Sequence, residues 1–146
     1  MASRLRHLGL LAVLAILAGC GAPAAEKLEV REARANLFPS SGAVYFTVVN
    51  PGPQSDRLLR VETSAALRAE THESVEDKGM MRMVPHPEGF EVPAGGTLEL
   101  RPGGKHVMLV EPKPSAGAAA IPLTLHFEHA GAVEVRAAVS GAETGR

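Results

Sequence analysis

Two histidines and a group of methionines stand at a spacing that suits a soft metal ion. His72 opens a run that holds Met80, Met81 and Met83, and His106 and Met108 follow as a second pair. Apart from the initiator, every methionine of the chain lies in this interval. Thioether sulfur and imidazole nitrogen are neutral donors that favour a soft cation of low charge, and reduced copper, Cu(I), suits them best. Zinc is disfavoured because methionine binds it poorly beside cysteine or carboxylate. A thioether carries no proton, and imidazole needs only to be neutral, above a pKa of ~6.5. Without thiolate, such a site is expected to bind less tightly than thiolate-rich sites, which helps an ion to be handed on.

The spacing predicts geometry as well. If Glu76-Asp77-Lys78-Gly79 is a tight turn centred between Asp77 and Lys78, a hairpin sets His72 directly opposite Met83, with Cβ atoms about 4.5–5.5 Å apart. Alternation puts His106 beside Met108, and Met81 beside Met83. A bulge at Gly79 would shift that register and bring Met81 or Met80 into competition. The plainer reading makes the methionines gap-fillers in a core, but two histidines at hairpin and i, i+2 spacing favour a metal. Met81 and His86 are accessory candidates, although His86, between Pro85 and Pro87, also reads as a solvated loop residue. His126 and His129 read as surface histidines. Glu70 and Glu73 could orient His72, with Glu73 pointing to the opposite face. Asp56 reads as a turn cap. Ser40-Ser41-Gly42 is turn chemistry with no triad around it, and no enzyme is expected.

The elements that must position these residues are strands. Short alternating runs broken by Pro and Gly turns are expected at 28–34, 43–50, 57–63, 67–75, 80–84, 90–92, 97–101, 105–110, 122–129 and 132–139, with residues 36–42 as a loop. That pattern, with no helical periodicity after the first segment, indicates an all-β, antiparallel sandwich, with a Greek-key order expected. Tryptophan is absent and aromatics make up 3% of residues, so the core is expected to be aliphatic and no stacking platform for bases is visible.

Residues 1–19 read as a signal peptide: Arg4 and Arg6 precede the apolar run Leu8–Leu17, which is too short for a permanent membrane span. Leu17-Ala18-Gly19-Cys20 resembles the lipobox of bacterial lipoproteins, in which the cysteine is acylated. Residues 20–27 are then lipidated Cys20 and a tether, 28–140 the metal-binding sandwich and 141–146 a tail. Cys20 is the one cysteine; lipidated, it leaves no thiol for a nucleophile or a blue-copper site. Removing Arg4 and Arg6 from 15 basic residues leaves 13 against 16 acidic ones, a formal charge of −3. Nucleic acid is therefore not an expected partner.

The ligand spacing, with Pro93-Ala94-Gly95-Gly96, Leu100-Arg101-Pro102-Gly103-Gly104 and Ile121-Pro122-Leu123-Thr124-Leu125-His126-Phe127, resembles the periplasmic copper chaperones of the PCuAC type. Their signature is a histidine, ten residues, a methionine, a little over twenty residues, then His-x-Met. The resemblance covers most of residues 28–139. It implies a cupredoxin-like sandwich holding one Cu(I) through His72, Met83, His106 and Met108. It also implies delivery to the CuA-bearing subunit of cytochrome c oxidase, alongside a Sco-type chaperone, from a lipid-anchored, monomeric protein on the periplasmic or outer face of a membrane. The chain departs from the family in lacking a tryptophan near its start, with Phe38 in a comparable region, and a His- and Met-rich tail that some members use for a second copper. The competing expectations are a structural or adhesive envelope lipoprotein with no metal role, and a copper-dependent redox enzyme.

Overall fold

The computed structural model describes residues 27–113 and 118–140. Cys20, the segment before it and the tail 141–146 lie outside the described residues. Among the described residues, ten strands form in chain order: β1 (Glu29–Leu37), β2 (Ser41–Val49), β3 (Asp56–Glu62), β4 (Ala66–Asp77), β5 (Met80–Pro85), β6 (Phe90–Val92), β7 (Thr97–Glu99), β8 (Lys105–Pro112), β9 (Ala120–Phe127) and β10 (Gly131–Ser140). The described residues contain no helix. In β2 the alternation is clean: Val44, Phe46 and Val48 are buried, while Ala43, Tyr45 and Thr47 face outward.

The strands run in one hydrogen-bonded order, β5-β4-β8-β2-β1-β10-β9-β3-β6, with β7 also on β2. One half, β5-β4-β8-β2, packs over the other, β10-β9-β3-β6. Val44, Phe46, Val107 and Leu109 from the first half share a buried cluster with Leu58, Leu123, Leu125 and Phe127 from the second. The core is aliphatic with a few phenylalanines, in line with the composition. All pairings are antiparallel except β1 with β10, which is parallel. A register shift between Arg31 and Arg34, with Glu32 at a φ of 53°, bends β1 where it joins the two halves.

Residues 36–42, expected as a loop, instead make a tight hairpin. Leu37 pairs with Gly42, and the Phe38 N–H donates to the Ser41 carbonyl. Within residues 97–112, β7 and β8 both pair with β2 and are separated by an outward loop, while β8 pairs with β4 on its other side. β7 pairs with the second half of β2 and β8 with the first. Arg101 and Lys105 close the loop through a backbone hydrogen bond of 2.9 Å.

Candidate metal centre

The four strands β5, β4, β8 and β2 lie side by side, and one outward face of them collects the predicted donors. Across β4 and β8, His72 sits directly opposite His106, and Glu70 opposite Met108. Across β8 and β2, Met108 is opposite Ala43. The intervening Thr71, Val107 and Val44 point the other way and are buried. The donors therefore stand on the outside of a sheet whose inside is core, next to the edge strand β5, and not among loops at one end of the sandwich.

The expected pairing of His72 with Met83 is corrected. Lys78 and Gly79, with φ of 52° and 79°, are the two central turn residues, so His72 pairs with Pro85 and Ser74 pairs with Met83. Both positive φ values belong to a type I′ turn, which moves the turn centre one residue along. Because the pleat repeats every two residues, the two-residue slip leaves Met83 on the same face as His72. Met81 shares that face, one pair further out opposite Glu76, whereas Met80 points to the other side.

Met83 and Met108 line a shallow depression of about 230 Å³ together with His106, Ser74, Tyr45 and Phe38. His72 is not on its wall. Its ring, 12% exposed, stands edge-on to that of His106 with centroids 6.1 Å apart. Met80, Met81 and Met83 are 65%, 62% and 54% exposed, which rules out the reading in which they fill the core.

The two rings present different nitrogens. His106 Nδ1 lies 2.9 Å from the Gly104 carbonyl oxygen, which can only accept, so Nδ1 carries the proton and Nε2 keeps the lone pair. His72 Nε2 lies 3.2 Å from Glu70 Oε2, also an acceptor, so there the lone pair belongs to Nδ1. That Nδ1 is buried with no hydrogen-bond partner. An unpaired buried acceptor costs roughly 1–3 kcal/mol, and a bound cation would remove the cost. Among the described residues no three His, Cys, Asp or Glu side chains converge as a metal site, so an ion held here needs sulfur donors. Glu70 also binds Arg68, and Arg68 is the main reason its carboxyl lies below the usual carboxylate range, against a cost of burial.

The outward loop builds one wall. Gly103, at a φ of 75°, reaches the depression, and the Gly104 carbonyl takes both the Ser74 N–H and the His106 ring. His86 is not an accessory to this face. It pairs with Glu73 at 3.1 Å and Glu88 at 3.1 Å and stacks near Phe90 on the opposite side of β4. His126 lies on β9 near Glu62, and the His129 N–H donates to Asp56. Sequence reasoning missed Ser74 and Tyr45. The outward orientation of Tyr45 was legible from β2 alternation, but its neighbour His106, with ring centroids 6.5 Å apart, depends on a long-range pairing.

The family described as "Putative lipoprotein LpqE-like" matches residues 28–139, almost the whole of the described domain. The chain belongs to the LpqE-like family. Two curated relatives are similar to it. "Putative lipoprotein Lxx21020" of Leifsonia xyli subsp. xyli is 37% identical over 86 residues, 58% of this chain and 52% of its own length. "Uncharacterized protein RP573" of Rickettsia prowazekii is 30% identical over 74 residues, 51% of this chain and 41% of its own length. The matches thus span about half of those relatives or less. Among solved structures, the copper-bound PCuAC domain from PmoF2 superposes with a TM-score of 0.65 at 26% identity, covering 80% of this chain and 95% of that one. Cu(I)-DR1885 from Deinococcus radiodurans gives a TM-score of 0.62 at 27% identity, covering 87% of each. The fold of this LpqE-like chain is that of the PCuAC domains, a cupredoxin-like sandwich.

Proposed function

We propose that this chain is a copper chaperone that carries one Cu(I) on the outer face of β5-β4-β8-β2 and surrenders it to a partner. The observation that carries this reading is the buried, unpartnered Nδ1 of His72, on a ring whose centroid is 6.1 Å from that of His106, with Met83 and Met108 on the same face of the sheet. Two neutral nitrogens and two thioethers match a soft monovalent ion. The copper-bound state of two structural neighbours supports it. Copper is cargo here, and its transfer is an exchange of ligands in which no covalent bond of a substrate is made or broken. Exposed Met83, on an edge strand, is the donor most open to an incoming competitor.

The recipient in this reading is the CuA-bearing subunit of cytochrome c oxidase, with a Sco-type chaperone as a second partner, and acylated Cys20 holds the carrier at the periplasmic or outer face of the membrane. The lipoprotein description of the family and of one relative supports the anchor. The test is a Cu(I) competition titration of His72→Ala and Met83→Ala. Each is expected to lose more than about tenfold in affinity. Unchanged affinity in both rejects the copper site, and a loaded carrier that cannot metallate an apo CuA domain rejects the recipient.

A further inference from the structure

We propose that Glu70, itself gripped by Arg68, is a positioning residue that fixes the proton and ring orientation of His72, so that this ring offers Nδ1 to copper while His106 offers Nε2. The proposal rests on the copper reading above and adds what makes the site asymmetric.

Glu70 and His72 are two residues apart on β4 and so share the face that carries the donors. The two Glu70 oxygens are engaged separately, since Oε1 binds the Arg68 guanidinium and Oε2 lies 3.2 Å from His72 Nε2. The carboxylate is thereby held at two points. It can only accept, so it keeps a proton on Nε2 and opposes the ring flip that would carry Nδ1 away from its place. Across the strand pair the arrangement is reversed, because a backbone carbonyl, that of Gly104, takes the Nδ1 proton of His106. The two rings stand in direct cross-strand register, yet one brace is a side chain and the other main chain. Glu70 also stands opposite Met108, so it borders two of the four donors and can be removed without removing any of them.

The experiment uses the full chain. Long-range proton–nitrogen NMR of the copper-free protein is expected to show His72 protonated at Nε2 and His106 protonated at Nδ1. In Glu70→Ala the His72 Nε2 proton is expected to vanish into fast solvent exchange while the His106 pattern stays. Cu(I) affinity is expected to fall about 10–100-fold, as it does when the outer partner of a ligating histidine is lost. Glu70→Gln, which keeps one acceptor, should fall between wild type and Glu70→Ala. If Glu70→Ala does not fold, Glu70→Gln and Arg68→Ala decide by the same two readouts. Wild-type affinity in the Glu70 variants, with His72→Ala weakened, overturns the positioning role and leaves the copper site standing; wild-type affinity in His72→Ala and Met83→Ala overturns the site itself. A proton on His72 Nδ1 in the wild type, or an oxygen scatterer in the Cu(I) X-ray absorption spectrum that disappears in Glu70→Gln, also overturns the positioning role.

Discussion

At the scale of single residues, the chain holds buried polar groups of two kinds, one left without a partner and one fully satisfied. His72 Nδ1 is buried and unpaired. Asp56, also buried, is the reverse case. Its carboxylate accepts from the backbone N–H groups of Arg57 at 2.7 Å, His129 at 2.9 Å and Ala130 at 2.9 Å. Beyond capping its own turn, as the sequence suggests, it ties down the β9–β10 turn from across the molecule. Burial raises the cost of its charge, but the three donors outweigh that and hold the carboxyl below the usual range. A carboxyl whose folded pKa is lowered contributes stability in full above its unfolded pKa of about 3.9 and loses it as pH falls through the folded value. Urea unfolding from pH 7 down to pH 2.5 should therefore show stability dropping below about pH 4. Asp56→Asn should cost about 1.5–3 kcal/mol at pH 7 and flatten that acid limb. An equally steep limb in the variant would mean that other carboxylates drive it.

At the scale of elements, the β4–β5 hairpin decides where Met83 stands. Lys78 adopts a left-handed φ of 52°, which a side chain resists, and Gly79 supplies the neighbouring 79° at no cost. Lys78→Asn should stabilise the hairpin by about 0.5–1 kcal/mol and Gly79→Ala should destabilise it by about 1–2 kcal/mol. Amide hydrogen exchange on β5 is the measurement, since an edge hairpin opens locally, and amides of β2 should keep their rates. Equal change in both strands would show that the hairpin opens only with the whole domain. The same turn shows what sequence could and could not reveal. Alternation exposed the faces, so His106 with Met108 and Met81 with Met83 were readable, as were nearly all the strands. The turn centre was not, because lysine is a poor signal for positive φ, and the pairing of His72 with Pro85 instead of Met83 followed from it. The meeting of His72 with His106 pairs β4 with β8, past the intervening β5, β6 and β7; no local pattern encodes that neighbourhood. Glu70 as a partner of His72 was readable from i, i+2 spacing, while the Gly104 carbonyl was hidden in a loop whose backbone path only the fold determines.

At the scale of the whole molecule, the donor face and the far half of the sheet share a core but no donor. Val107, fully buried, sits between His106 and Met108, so the site's backbone is anchored from within by the cluster that Leu58 completes from β3. The packed core and the predicted donors thus occupy opposite sides of the same strands. Leu58→Ala should cost about 2–5 kcal/mol through lost burial and the cavity left behind. If the donor face is rigidly carried by β4 and β8, Cu(I) should still bind the folded variant as it binds the wild type. Binding to the native state adds RT ln(1 + [L]/Kd), about 2.7 kcal/mol at a free concentration a hundred times Kd. That increment depends on affinity and not on the starting stability, so denaturant unfolding at one buffered free Cu(I) level should give the same gain in Leu58→Ala and in wild type. His72→Ala should show a smaller gain than wild type over its own copper-free baseline. A gain that shrinks in Leu58→Ala would reveal that the far half of the sandwich shapes the metal site through the core.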